Sequence, residues 1–322
     1  MQRSANGRDR KMKRPIITPL LASALAFSAW VTGCNEASKK PIGLEGESRT
    51  AGVCVANYPL YCFAETLLSG ALPVYFDAPA GEDPAFWQPD DAALSRFQSA
   101  KVILLNGAGY SKWVDQVSLP QARVVETSAA FEKAFIEVKE AVTHSHGPEG
   151  EHEHTGVAFT PWIDLDQAAQ QLDAVKGALL PVVPEAERAR LEERAQTLRA
   201  KLLAWDARLK TVGEKLKGKA LLGSHPVYQY FARRYHLNLR EVHWEPETVP
   251  DAKALEELKG ILQTHPAKVI LWEGAPAAES VALLKALGIE SVVFDPCGNR
   301  PEAGDFFSVM ETNVSAMEGL AP

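Results

Sequence analysis

The chain is poor in cysteine and lacks the short motifs of several enzyme classes. Only four of its 322 residues are cysteine, and none has the Cys-x-x-Cys spacing of a thiolate zinc site or a redox motif. No His-Glu-x-x-His, nucleophile-elbow or phosphate-loop motif is present, and Gly107-Ala108-Gly109 lacks the third glycine of a dinucleotide fingerprint. These absences argue against metalloproteases, serine hydrolases, nucleotide-binding enzymes and thiol oxidoreductases.

Positive charge is also scarce once the N-terminal segment is set aside. Residues 1–33 hold six of the 34 Lys and Arg residues and one of the 41 Asp and Glu residues. The rest of the chain therefore has 28 positive and 40 negative residues, a net charge of −12. An acidic surface of this kind argues against nucleic acid as a partner and is compatible with cations.

The N-terminus predicts export and a lipid anchor. A basic segment ending at Arg14 is followed by the apolar run Pro15–Val31, which is shorter than the ~20 residues of a membrane-spanning helix. Small residues then lie directly before Cys34, as in a bacterial lipobox, so residues 1–33 are predicted to be a lipoprotein signal peptide and Cys34 the lipidated residue. The alternative is an uncleaved membrane anchor, and in both cases the rest of the chain lies outside the cytoplasm. Residues 34–50 are predicted to be a flexible tether.

Three further cysteines remain, Cys54, Cys62 and Cys297. An odd number in an oxidising compartment leaves at least one free thiol. Cys54 and Cys62 either pair locally or stay reduced, and the sequence does not decide between these two states.

Half of the eight histidines lie in one polar segment, residues 143–156. This insert contains His144, His146, His152 and His154 among glutamates, with almost no apolar residue, so it cannot build a core and need not fold. Imidazoles and carboxylates on a mobile segment suit the transient capture of a borderline divalent cation such as zinc. The alternative is a solvated loop whose histidines bind nothing, and we favour accessory metal binding.

The order of apolar segments predicts an α/β fold with two similar doubly wound lobes joined by a long, rigid backbone helix. The predicted strands are 52–56, 73–76, 101–105, 123–126, 219–223, 238–242, 268–272 and 291–294. The predicted helices are 60–68, 166–179, 185–217, 227–235, 252–264 and 277–287. We assign residues 51–183 to an N-terminal lobe that includes the insert, 184–217 to the linking helix and 218–322 to a C-terminal lobe. The linking helix would be roughly 45–50 Å long, and its apolar spacing is too irregular for a coiled coil.

Polar side chains follow three predicted strands of the second lobe. They are His225, Glu273 and Asp295. Because the carboxyl ends of parallel strands lie at one edge of a sheet, we expect these side chains to lie together. Asp83 follows the second strand of the first lobe, and an imidazole with several carboxylates suits zinc, manganese or iron. Each residue alone could instead be a structural polar group or start a turn.

From residue 52 to the C-terminus, several motifs stand in a fixed order. They are Gln88-Pro89-Asp90-Asp91, Leu104–Gly109, Thr160–Asp164, Ser224–Phe231, Trp272-Glu273 and Phe294–Pro296. Together with the lipobox and the His-rich insert, this order resembles the zinc/manganese-type substrate-binding lipoproteins of ABC importers. The resemblance implies a metal cleft between the lobes and a monomeric, membrane-anchored lipoprotein on the periplasmic side or the cell surface. It also implies capture of a divalent metal ion as cargo, zinc before manganese or iron, and delivery to the ABC permease of a metal importer.

The chain departs from this family at two positions. Members usually have histidine where this chain has Asp83 and Thr160, whereas His225 and Asp295 match. The predicted ligand set is therefore Asp83, His225 and Asp295 with Glu273, and Thr160 is at most an accessory ligand because a neutral hydroxyl donates little charge. A larger share of oxygen ligands shifts the metal preference of such a site towards manganese or iron.

Other ligand sets and other functions stay open at this point. A histidine of the insert, such as His154, could complete the shell, and His243 with Glu245 either contributes or is merely exposed. We predict no enzymatic activity. The competing hypotheses are a vestigial or adhesin-like surface lipoprotein without tight metal binding, and a metal-dependent hydrolase in which Glu273 acts as the base.

Overall fold

The computed structural model describes residues 51–145 and 151–321. The predicted signal peptide, the tether with Cys34, and His146 lie outside the described residues. Cys54, Cys62 and Cys297 are buried free thiols, so the alternative of a local Cys54–Cys62 bridge is not the state of this structure.

The first sheet is parallel and has four strands in the order β2-β1-β3-β4. The elements of this part are β1 (Val53–Val55), α1 (Tyr58–Leu68), β2 (Val74–Tyr75), α2 (Asp91–Ser99), β3 (Val102–Leu105) and β4 (Val124–Glu126). Strands β1 and β3 are buried along their whole length, as expected for a parallel sheet that is covered on both faces. Asn57 caps α1 by accepting from the Leu60 N–H at 3.1 Å, which fixes where that helix begins.

The His-rich insert forms an antiparallel ribbon of two strands, β5 (Glu137–Ser145) and β6 (Glu151–Val157). Val142 lies opposite His154, and His144 lies opposite His152. The expectation that this segment need not fold is therefore wrong for its backbone. Ribbon pairing satisfies the backbone N–H and C=O groups without a core, which the polar composition alone did not reveal.

Two helices follow the ribbon and connect the sheets. Helix α3 (Leu165–Leu179) is capped by Asp164, and α4 (Glu185–Lys215) is a single helix of 31 residues, about 46 Å long. Helix α4 packs against α1 and α3 and buries Leu202 and Trp205 in a core that also contains residues of both sheets. None of the helices within the described residues combines the length and hydropathy of a membrane span.

The second sheet repeats the topology of the first. Its elements are β7 (Ala220–Gly223), α5 (Gln229–Arg234), β8 (Asn238–Glu241), α6 (Ala252–Thr264), β9 (Val269–Trp272), α7 (Ala278–Ala286) and β10 (Glu290–Val293), followed by α8 (Phe306–Leu320). The parallel order β8-β7-β9-β10 corresponds to β2-β1-β3-β4 of the first sheet. The predicted α/β fold with two similar doubly wound lobes and a joining helix is confirmed, whereas α2 and α8 were not predicted.

Hydrogen bonds tie the segment after the ribbon to the second sheet. The Trp162 indole N–H donates to the Pro296 carbonyl at 2.7 Å, and the Tyr230 hydroxyl donates to the Ala158 carbonyl at 2.9 Å. The Tyr58 N–H donates to the Gly298 carbonyl at 3.0 Å. These buried bonds hold the carboxyl edges of the two sheets against each other.

Candidate metal centre

The candidate centre lies where the strand order of the second sheet reverses. Strands β7 and β9 are neighbours there, and their crossovers lead to opposite sides of the sheet. His225 is the second residue after β7, and Glu273 is the first residue after β9. Ligands of doubly wound sheets bind outside the carboxyl ends of the strands at such a reversal, so the topology places both side chains at the expected binding point.

His225 lies between two carboxylates. Its Nδ1 is 3.0 Å from Glu273 Oε1, and its Nε2 is 3.7 Å from Glu245 Oε1. Ligand atoms of these three residues all lie within 4.8 Å of one another. The imidazole is buried and both glutamates are partly exposed, so the histidine lies on the inner side of the group and the glutamates lie towards solvent.

Backbone pairing beyond the ends of the strands brings Glu245 to this group. The Val242 N–H donates to the Gly223 carbonyl, and the Trp244 N–H donates to the Ser224 carbonyl at 2.7 Å. These bonds carry the chain after β8 alongside the chain after β7, so that Glu245 reaches His225. The sequence left Glu245 open together with His243, and the structure separates the two because His243 is exposed.

The carboxylates change the charge state of the imidazole. Burial alone lowers the pKa of His225, but the contact with Glu273 and the charges of Glu273, Glu245 and Asp83 outweigh it, and the net shift is upward. The carboxylates therefore favour the imidazolium form of His225 when no cation is bound. A cation that binds the ring nitrogen has to displace this proton.

Asp295 borders the centre on the side of β10. Burial raises its pKa to about 6, the Cys297 N–H that donates to its Oδ1 at 2.6 Å acts the other way, and the charge of Glu273 raises it further. The Asn313 side chain on α8 holds the backbone of Asp295 through both its oxygen and its nitrogen, at 3.1 and 2.7 Å. Asp295 is thus electrostatically coupled to Glu273 but is not a member of the three-residue group.

A further carboxylate lies behind the histidine. Burial raises the pKa of Glu241 to about 7, while the Tyr228 N–H and the charge of His225 lower it. The Tyr228 N–H donates to Glu241 Oε1 at 3.2 Å. Glu241 was not predicted, because it ends a strand without any motif around it.

Asp83 approaches from the first sheet. It is exposed in the loop after β2, and its Oδ1 accepts from the Ala85 N–H at 2.9 Å. Its charge acts on His225 and also raises the pKa of Tyr110, for which burial is the main cause. Asp83 is therefore electrostatically coupled to His225, although it too is outside the three-residue group.

The remaining predicted ligands have other surroundings. Thr160 is buried, and its hydroxyl donates to the Val227 carbonyl at 2.6 Å. This bond links the segment after the ribbon to the segment that follows β7 of the second sheet. The backbones of His144, His152 and His154 lie on the β5–β6 ribbon. The structure thus brings together His225 and Glu273 of the predicted set, adds Glu245, and leaves Asp83 and Asp295 at the border.

The chemistry of this group suits a divalent cation of the first transition row. One imidazole and several carboxylates form a nitrogen-and-oxygen donor set, which binds zinc, manganese or iron. Among the described residues, no other group of three such side chains has its ligand atoms so close together.

Comparison with known proteins shows which family this chain resembles. Residues 53–319 match the family model of the periplasmic zinc-uptake complex component A, ZnuA. A protein of Treponema pallidum (strain Nichols) that is named for metal binding is 26% identical over 244 residues, which are 74% of this chain and 76% of that protein.

Solved structures share the fold at lower identity. The metal-dependent lipoprotein YcdH from Bacillus subtilis superposes with a TM-score of 0.70 at 19% identity, covering 84% of this chain and 100% of the other. Zn(II)-bound AdcA from Streptococcus pneumoniae gives a TM-score of 0.67 at 18% identity, covering 84% of this chain and 58% of AdcA. The family match spans both sheets and the helix between them, and the chain therefore belongs to the ZnuA family of periplasmic zinc-uptake components.

Proposed function

We propose that this protein is an extracytoplasmic solute-binding protein that captures a divalent metal ion, with zinc as the preferred cargo, and delivers it to an ABC permease. The observation that carries the proposal is the buried imidazole of His225, which lies between Glu273 and Glu245 at the strand-order reversal of the second sheet. Membership in the ZnuA family and the fold shared with Zn(II)-bound AdcA support it.

The two sides of the imidazole differ in a way that suggests separate roles. Two ligand atoms that bind one zinc ion tetrahedrally at about 2.1 Å lie about 3.4 Å apart. The distance of 3.7 Å between His225 Nε2 and Glu245 is close to this value, whereas 3.0 Å between Nδ1 and Glu273 is a hydrogen-bond distance. We propose that Nε2 and Glu245 bind the ion, while Glu273 accepts from Nδ1–H and orients the ring, as outer-shell carboxylates commonly do.

Asp83 and Asp295 are proposed to complete the shell from the two borders of the cleft. Both interact electrostatically with members of the group, and both are on loops at the carboxyl edges of their sheets. With one nitrogen and several oxygen ligands, the site would discriminate less strongly for zinc than a three-histidine site. Manganese and iron are therefore the competing cargoes to measure.

The N-terminal predictions fit the same function and remain proposals. Export through residues 1–33 and lipidation of Cys34 would keep the protein at the outer face of a membrane, within reach of a permease. The His-rich insert, residues 143–156, is proposed to offer weaker accessory sites through His144, His146, His152 and His154. The protein is proposed to act as a monomer and without chemical turnover.

Metal content and affinity test this proposal. Protein purified without chelator is analysed for zinc, manganese and iron, and zinc affinity is then measured by competition with a chromophoric chelator. We expect one tightly bound zinc ion in the wild type and none in His225→Ala. The control His236→Asn changes an exposed histidine in a left-handed turn, φ 53°, a conformation that asparagine tolerates, and should bind as the wild type does.

Deletion of residues 143–156 separates the two kinds of site. We expect the deletion to remove weak additional zinc ions and to keep the tight one. Loss of the tight ion from the deletion, or its retention in His225→Ala, would contradict the assignment of the cargo to the cleft.

A further inference from the structure

Two side chains of the second lobe hold the loop of the first lobe that carries Asp83. The Asn299 amide nitrogen donates to the Pro79 and Glu82 carbonyls, at 2.6 Å each. The Arg300 guanidinium donates to the Ala78 carbonyl at 3.0 Å and also to the Phe76 carbonyl. We call Asn299 and Arg300 the loop clamp, because together they bind four backbone carbonyls within residues 76–82.

Ring contacts strengthen the part of the loop clamp that Arg300 provides. Its guanidinium carbon lies 4.4 Å from the centroid of the Phe76 ring and 5.8 Å from that of Tyr61. Guanidinium–ring contacts of this kind are favourable even at partly exposed sites. Arg300 therefore contacts both the backbone and a side chain at the start of the loop.

The loop clamp belongs to the same short segment as Asp295. The chain leaves β10, passes Asp295 and turns at Cys297, which has a left-handed backbone with φ 56°. The next residue, Gly298, accepts the Tyr58 N–H at 3.0 Å. One segment of six residues, 295–300, thus presents a carboxylate to the centre and binds the loop on the opposite side of the cleft.

Other bonds of the loop act at both of its ends, and the Asp83 carbonyl accepts from the Phe86 and Trp87 N–H groups at 3.0 Å each. Asp77 pairs with Arg96 on α2 at 2.6 Å, which fixes the residue directly after Phe76. The turn at residues 79–82 contains Gly81 with φ 83° and has a long internal bond of 3.4 Å from the Glu82 N–H to the Pro79 carbonyl. The bonds from Asn299 to both ends of this turn are shorter, so Asn299 fixes the turn that directly precedes Asp83.

We propose that Asn299 and Arg300 are positioning residues of the metal centre: they hold loop 76–83 so that the Asp83 carboxylate keeps its place at the border of the centre, and these bonds slow the release of the cargo. This inference rests on the proposed function. It assigns a part in the control of release to the protein's own segment 295–300. Outer-shell residues of metal sites typically change affinity by about 10–100-fold when they are replaced.

The test is the rate at which zinc leaves the protein. Wild type, Arg300→Ala and Asn299→Ala are loaded with one zinc ion and mixed with an excess of chromophoric chelator in a stopped-flow instrument. We expect each substitution to increase the dissociation rate about tenfold or more. The matched control is Arg194→Ala, which removes a bond of 2.8 Å from an arginine of α4 to the Leu67 carbonyl of α1. This variant should release zinc at the wild-type rate.

A double-mutant cycle shows whether the loop clamp acts through Asp83. In an Asp83→Asn background, Arg300→Ala should no longer change the dissociation rate, because the carboxylate that the clamp positions is already gone. A purely structural role would lower the melting temperature of the metal-free protein without this dependence on Asp83. If Arg300→Ala does not fold, Asn299→Ala allows the same comparison, because it removes only the two bonds to the Pro79 and Glu82 carbonyls.

The outcomes separate this inference from the proposed function. Absence of tight zinc in the wild type, or its persistence in His225→Ala, defeats the proposed function. Tight zinc that depends on His225 but leaves both clamp variants at the wild-type rate defeats the inference alone. Equal acceleration by Arg300→Ala in the presence and the absence of the Asp83 carboxylate also overturns it.

Discussion

Binding of zinc should release protons, and the structure indicates how their number changes with pH. Two of the proposed ligands hold protons more strongly than usual in the metal-free protein. The pKa of His225 is raised because the surrounding carboxylates outweigh burial, and burial raises the pKa of Asp295 to about 6. Each must lose its proton before its nitrogen or oxygen binds a cation, so protons compete with the metal.

The direction and the size of the pH dependence of zinc binding follow from these pKa shifts. Below the pKa of about 6 for Asp295, both groups are protonated without metal, and binding releases two protons. The dissociation constant should then rise about 100-fold for each pH unit by which the solution is acidified, a factor of ten for each proton. Above about pH 7 Asp295 is already ionised, and the dependence should be no steeper than about tenfold for each unit.

Chelator competition at pH 5, 6, 7 and 8 measures this dependence, and calorimetry in buffers of different ionisation enthalpy counts the protons. Asp295→Asn should release one proton fewer than the wild type on the acid side. The control Asp173→Asn changes a surface carboxylate on α3 that pairs with Arg199 and should leave the count unchanged. A wild-type dependence no steeper than tenfold below pH 6, or an unchanged count in Asp295→Asn, would refute the reasoning.

Three further substitutions test how the fold supports the centre, each by urea unfolding. Trp162→Phe should lower the free energy of unfolding by about 1–3 kcal/mol because it leaves the Pro296 carbonyl without its donor, and an unchanged midpoint would argue against this bond. Asp305→Ala should cost about 1 kcal/mol because Asp305 caps α8, whereas the exposed Glu302→Ala should cost nothing measurable. Leu202→Ala should lower the free energy of unfolding by about 2–5 kcal/mol. Fluorescence and circular dichroism should report one unfolding transition, because the core around Leu202 includes residues of both sheets. Two separate transitions would contradict a shared core.

Most of the fold could be predicted from the sequence, because strands and helices alternate and turn or capping residues separate them. Helix α6, for example, has the predicted bounds, and Asp251 caps it. Helix α2 was missed although Asp90 caps it, because its nine residues span too few turns to show a helical repeat. The β5–β6 ribbon was missed for a different reason: composition shows that a segment cannot form a core, but it does not show whether its backbone pairs with itself.

The centre was predictable where it depends on strand ends and unpredictable where it depends on distant pairing. His225 and Glu273 directly follow neighbouring strands, so the rule for doubly wound sheets placed them together. Glu245 reaches the group only because the chain after β8 continues to pair with the chain after β7. The role of Thr160 depends on the Val227 carbonyl, 67 residues away in the chain, and no local pattern indicates such a partner.

The most direct test of the central claim is a crystal structure of the protein grown with zinc, with diffraction data collected on both sides of the zinc absorption edge. We predict one strong anomalous peak about 2.0–2.2 Å from His225 Nε2 and from a Glu245 oxygen. Anomalous density that is confined to the His-rich ribbon, with none beside His225, would contradict the account.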